Sequence, residues 1–274
     1  MPEHEAAITS LSTLEKAVLD VCGEFDGEAA WWRGQANFDW TLKPGGFRDQ
    51  HGAGKYTPAA LIGNFKIRAL GRLGHRPVPS TDLEWLFLAQ HYGLPTQLLD
   101  WTENPLFALF FAVSQQLDTD SDACLWALSP TKLNVEHANP GNLGSGQRGL
   151  INLDERPVQA VVMQAVGFKD ESIRRRIFPE ATVLPEMPKS IALASVEIDE
   201  RIVAQSGRFT LHSCNGAVDG LSGNDKFLRK FRIPGREKER IRMLLQLMGI
   251  HRWNLFPDIG SLASELKNWN FVKS

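Results

Sequence analysis

The chain has 274 residues, 43% of them hydrophobic and 23% charged, a composition that suits one large or two small globular domains and excludes wholesale disorder. Thirty-two acidic and 30 basic residues leave a net charge of −2, so no global field drives the molecule onto nucleic acid or an anionic membrane. No apolar run is long enough to cross a bilayer, and the first ten residues lack the basic and apolar regions of a signal peptide. Cys22, Cys124 and Cys214 are odd in number and far apart, which fits a reducing cytoplasm and argues against disulfides or a cysteine-built zinc site. Eight tryptophans against two tyrosines suit either an aromatic-lined cleft or a core of large residues.

Taken in chain order, Ser12 and Glu15 have capping-box spacing and predict a helix to about Val21. Ala29 to Trp32 reads as a buried strand that ends at Arg33-Gly34. Thr57-Pro58 starts a helix whose buried face would be Leu61, Phe65 and Leu70. Thr81 and Glu84 cap another, stopped by Gly93 and Pro95. Gln97 to Trp101 reads as a strand, and Asn104-Pro105 opens a helix lasting to about Gln116. Ala123 to Leu128 reads as a strand, residues 139–149 as a glycine-rich loop, and Val158 to Val166 as strand or helix. Residues 191–198 and 207–212 look like strands. A basic strand from Phe227 to Ile233, a helix from Arg236 to Met248 closed by Gly249, and a last helix from Asp258 complete the chain. Strands and helices follow one another without steady βαβ alternation, which predicts an α+β fold of mixed sheets flanked by helices.

Several chemistries lack their motifs. The glycine-rich loop has no Lys-Ser/Thr to hold phosphate and magnesium, and Ser145 has no nucleophile-elbow context. The seven histidines show no metal-ligand spacing, so no metal site is expected. Residues 226–242 carry eight basic and two acidic residues, and Arg174-Arg175-Arg176 adds a second basic cluster. Such runs are solvated helix faces or contacts to nucleic acid.

Three segments are dense in unusual residues. The first is Trp32-Arg33-Gly34-Gln35, with Asp39-Trp40, Leu42, Pro44 and Arg48. The second runs from Leu88 through Gln90-His91-Tyr92-Gly93 and Leu98-Leu99-Asp100-Trp101-Thr102 to Ala112. The third is Arg201-Ile202, Ala204-Gln205-Ser206-Gly207 and Phe209-Thr210, followed by Ile233-Pro234, Gly249-Ile250 and Leu255-Phe256-Pro257-Asp258. Together they resemble the FRG domain, a family named for its aromatic-Arg-Gly motif. The likeness covers roughly 25–265, so the whole chain, 1–274, reads as one such domain. Gln97 stands where members of the family usually have arginine, and Gly45-Gly46 where a serine usually follows the proline.

The order of these residues also resembles, more loosely, the ADP-ribosyltransferase superfamily. That likeness implies an ADP-ribosyltransferase-like core with Arg33 ending the first core strand, Asp100 and Thr102 on a second, and Gln205 completing the site. The substrate it implies is NAD, with Arg33, Gly34, Gln35, His91 and Tyr92 as binding residues and Arg33, Asp100, Thr102 and Gln205 as catalytic ones. The acceptor would be a protein, a nucleic acid or water. The FRG likeness implies a cytoplasmic bacterial protein with no membrane partner. Its setting would be a toxin or phage-defence role, with an antitoxin or defence-system partner.

The residues themselves leave other roles open. Arg33 suits diphosphate recognition or a buried pair with a carboxylate such as Asp100. Gly34 admits close approach by a ligand or by the chain itself. His91 and Tyr92 would stack on a ring or simply pack at a helix end. Thr102 and Asn104 would equally cap the next helix. Gln205 accepts from a ribose hydroxyl or sits satisfied in a turn. The competing function is a non-enzymatic module that binds nucleic acid or protein through the basic C-terminal surface.

Overall fold

A computed structural model describes residues 7–48, 57–114, 121–138, 150, 188–194, 200–213 and 215–267. It also describes residues 158–159, 161–162, 175–176 and 179–180. Its centre is a six-stranded sheet in the order β4-β5-β2-β1-β3-β6. The strands are β1 Trp31–Gln35, β2 Leu98–Thr102, β3 Ala123–Leu128, β4 Ser190–Ala192, β5 Gly207–His212 and β6 Leu228–Ile233. Every strand pairing is antiparallel. The fold is thus α+β as expected, with one antiparallel sheet in place of the mixed sheets expected from sequence.

Alternation along β1 sends Trp32 to one face of the sheet and Trp31 to the other. On the Trp32 face, α1 (Leu11–Glu24), α4 (Pro105–Ser114) and α7 (Lys238–Leu247) bury one apolar layer. Gly34 faces the same way and makes that contact close: a Cβ there would stand 1.9 Å from the Ala108 carbonyl oxygen and 2.6 Å from the Ala112 nitrogen. Further along this face, α3 (Asp82–His91) packs Phe87 on Phe209 of β5, with ring centroids 4.8 Å apart. On the opposite face Trp31, Trp101 and Trp126 share a buried cluster with Leu42, Leu99 and Phe227. The structure places most of the tryptophans in the core.

Local chemistry sets the element ends, sometimes a residue or two from where the sequence suggests. The cap of α1 is Ser10, with Thr13 completing the capping box, rather than Ser12 with Glu15. Helix α2 (Pro58–Ala69) starts at Thr57 as predicted, but it buries Ile62 and Ala69, while Leu70 is exposed. Thr81 caps α3 through the Glu84 amide, and the Glu84 carboxylate reaches the Ser80 amide instead of closing a box on Thr81. Gly93 supplies the left-handed residue after α3, at φ 79°. Strands β3 and β5 have the predicted bounds.

Helix α5 (Pro130–His137), capped by Ser129, and the short helices α6 (Glu200–Ala204) and α8 (Arg252–Leu255) were not legible as periodic segments. The last helix, α9 (Ile259–Lys267), follows Asp258, whose carboxylate accepts the Ser261 amide. The glycine-rich stretch 139–149 and much of 158–166 lie outside the described residues. Among those described, no helix is long and apolar enough to cross a membrane.

Candidate functional site

The sheet is thinnest between its two central strands. β1 and β2 share one bridge pair, Trp32 with Thr102. Beyond it the backbone carbonyl of Asp100 is met by a side chain, as Arg33 Nη1 donates to it at 2.7 Å. By the register, Asp100 and Thr102 face the side of the sheet where Trp32 lies, and Arg33 faces the other. Burial lowers the Arg33 pKa to about 10, although the charge of Asp100 raises it; Arg48 lowers it further. Arg33 Nε is buried and has no hydrogen-bond partner among the described residues. Arginine and aspartate are thus neighbours, but Arg33 bonds to the main chain of Asp100 and not to its carboxylate.

That carboxylate opens into a cleft of about 450 Å³, open mouth included. Gln90 and His91 reach it from the end of α3, Asp100 and Trp101 from β2, and Arg201 and Gln205 from α6 and the turn after it. Phe87 and Phe209 form its apolar wall. The cleft lies over the junction of β2 and β5, where α3 ends at His91 and α6 is only five residues long.

Several of its polar groups are held in place. Gln90 Nε2 donates to Asp100 Oδ2 at 2.8 Å, and Gln90 Oε1 accepts from the Thr96 hydroxyl at 2.6 Å. The buried threonine therefore fixes the amide that fixes the carboxylate. Gln205 Nε2 donates to the Leu255 carbonyl at 2.9 Å, which leaves Oε1 as its open acceptor. Arg201 Nη1 donates to the His91 carbonyl at 3.0 Å and so ties α6 to the end of α3. Asp100, Gln205, His91 and Arg201 come from three elements and meet at one concavity.

The other residues singled out in the sequence stand elsewhere. The Thr102 hydroxyl donates to the Gln205 carbonyl at 2.6 Å and accepts the Asn104 amide at 3.0 Å, so it joins the cleft wall to the start of α4. The Asn104 side chain caps α4 through the Leu106 amide. The close approach at Gly34 is made by α4. Gln35 is buried: its Oε1 accepts from the Trp126 indole at 2.8 Å and its Nε2 donates to the Thr41 carbonyl. Tyr92 is exposed, its ring between His91 and the Arg76 guanidinium. Gln90, Arg201 and the Phe87–Phe209 wall were not read as site residues. Arg201 carried a usable signal, since it lies four residues before Gln205, on the same helical face.

The basic stretch 226–242 is internally matched. Lys226 pairs with Glu136, Arg229 with Glu24, Arg232 with Asp122, Arg236 and Arg240 with Glu237, and Arg242 with Glu239. Lys230 donates to the Phe38 carbonyl, and the buried Lys238 to that of Ala36. Among the described residues, no group of three His, Cys, Asp or Glu side chains is placed to hold a metal ion.

The family model of the FRG domain matches residues 28–121. This segment of the chain is similar to the FRG domain. The matched segment contributes β1, α3, β2 and α4, and with them Gln90, His91 and Asp100. The opposite wall of the cleft, Arg201 to Phe209, lies beyond the match. No curated protein and no solved structure matches the chain.

Proposed function

We propose that the FRG-domain cleft binds NAD and cleaves its nicotinamide–ribose bond, passing the ADP-ribosyl group to a macromolecule or to water, on an ADP-ribosyltransferase-like core. The observation that carries this reading is the convergence of a fixed carboxylate, Asp100, with an open amide acceptor, Gln205, beside an aromatic wall. In the reaction the C1′–N bond breaks and its electron pair leaves with nicotinamide. The remaining sugar is oxocarbenium-like, and Asp100 supplies the negative charge that stabilises it. Gln205 Oε1 accepts from a ribose hydroxyl and holds the sugar in register. The Phe87–Phe209 wall takes the flat ring and excludes water. The acceptor oxygen or nitrogen then bonds to C1′ and gives its proton to Asp100.

Arg33, Gln90 and Thr102 act on this reading as positioning residues. Arg33 holds the Asp100 carbonyl, Gln90 the Asp100 carboxylate, and Thr102 the Gln205 carbonyl. His91 shapes the rim, and Tyr92 packs on its ring from outside the lining. A toxin or phage-defence setting, with an antitoxin that covers the cleft, follows from the family likeness and belongs to the same proposal.

The test is release of nicotinamide from NAD by the purified protein, with and without cell extract as a source of acceptors. Asp100→Asn keeps the Gln90 contact and removes the charge, and is expected to slow release at least about 100-fold. Intact NAD after prolonged incubation under both conditions, or an Asp100→Asn variant as fast as the parent, would overturn the proposal.

A further inference from the structure

The cleft has an outer station beyond its lining residues. Phe256 directly follows α8, and its ring is within cation–π reach of two arginines. The guanidinium carbon of Arg201 is 4.4 Å from the centre of its ring, and that of Arg252 is 4.5 Å from it. The two cations are therefore at most 8.9 Å apart, the sum of those two distances. Like charges repel at that range, and the aromatic ring that both approach offsets part of the cost. Phe256 is itself wedged edge-on against Phe111 of α4, at 6.0 Å between centroids, so the platform is fixed to the core.

This station is continuous with the cleft. Arg201 lines the cleft and bonds to the His91 carbonyl. The residue before Phe256, Leu255, offers the carbonyl that holds Gln205. Arg252 is exposed, and its guanidinium is one ring away from the cleft lining. Two guanidiniums held within 9 Å of each other at a cleft mouth match the chemistry of a substrate carrying a phosphate or diphosphate: planar, permanently charged forks that meet paired oxygens.

We infer that Arg201 and Arg252, braced on the Phe256 ring, bind the diphosphate of the substrate held in the cleft, so that the cleft selects phosphorylated nucleotides over free nucleosides. The inference rests on the proposed function for its substrate class and differs from it in the residues named. The likeness to ADP-ribosyltransferases assigns the anion to Arg33. In this fold Arg33 faces the other side of the sheet, and the cations on the cleft side are Arg201 and Arg252. Arg252 lies outside the matched family segment, so the contact belongs to this chain's own C-terminal portion.

Calorimetric titration with ADP-ribose, inorganic diphosphate and adenosine tests this without any turnover. The parent is expected to bind ADP-ribose and diphosphate, in a salt-dependent manner, and adenosine at least tenfold more weakly than ADP-ribose. Arg252→Ala changes an exposed side chain and is expected to fold normally while weakening ADP-ribose at least tenfold. Arg252→Lys should restore only part of that, because a point charge does not reproduce the fork. Equal ADP-ribose affinity in parent and Arg252→Ala, or no binding of either anion by the parent, overturns the inference. Nicotinamide release with an unchanged KM in Arg252→Ala would overturn it while leaving the proposed function standing. Anion binding that depends on Arg252 in a protein that never cleaves NAD would sustain it while removing the proposed function.

Discussion

Replacing Arg33 separates a structural arginine from a ligand anchor. Arg33→Met keeps most of the stem and removes the guanidinium. The folded protein holds that cation with a pKa lowered to about 10, which corresponds to about 3 kcal/mol of destabilisation of the charged form. Methionine relieves this. Against the gain stands the charged hydrogen bond to the Asp100 carbonyl, about 1.5–3 kcal/mol, with that carbonyl left unmet. The two sides nearly balance, so Arg33→Met is expected within about 2 kcal/mol of the parent in urea denaturation. Arg33→Ala adds a cavity and should lie about 2–5 kcal/mol below Arg33→Met. Because Arg33 faces away from the cleft, ADP-ribose affinity in Arg33→Met should stay within about threefold of the parent. An Arg33→Met protein of parental stability that no longer binds ADP-ribose would refute this reasoning and make Arg33 the anion anchor.

Three further outcomes follow from the packing. Gly34→Ala places a methyl group against backbone atoms of α4 that cannot turn aside, and should cost about 3 kcal/mol or more or prevent folding, read by thermal melting. His212 is buried and its pKa is lowered to about 3, so the unfolded chain takes up the proton first as pH falls. Its stabilising share is complete above about pH 6.5 and drains away toward pH 3, by up to about 5 kcal/mol. His212→Gln should flatten that part of the stability–pH curve, and an unaltered curve would count against a buried neutral imidazole. Burial pushes the Cys124 thiol up to about 12, whereas Cys22 is exposed. Peptide mapping after alkylation of the native protein should therefore find Cys22 modified and Cys124 protected.

Much of the fold was legible because its elements carry local signals. Thr57-Pro58, Thr81 and Gly93 mark helix ends by their own chemistry, and the apolar run of β3 and the alternation of Phe209 and Leu211 in β5 read as strands. The short helices α6 and α8 were not legible, since five and four residues are too few to show a period. Half of the site was legible for a related reason. His91 and Gln205 sit where helices end, and ends meet at clefts, whereas Asp100 stands in the middle of β2. The face on which each side chain lies was not legible. It depends on the register of β1 with β2, set by Trp32 opposite Thr102, and a shift of one residue would have sent Arg33 into the cleft. Nor could sequence show that Gly34 and Gln35 serve α4 and the tryptophan layer, because the partners lie more than 70 residues away.

The central claim is that the cleft between α3, β2 and α6 is where a nucleotide binds. A crystal structure of the protein with ADP-ribose addresses it most directly. The account predicts the ribose next to Asp100 and Gln205 and the diphosphate beside Arg201 and Arg252, with Arg33 still bonded to the Asp100 carbonyl. A nucleotide bound instead on the Arg33 side of the sheet, or along β6, would contradict it.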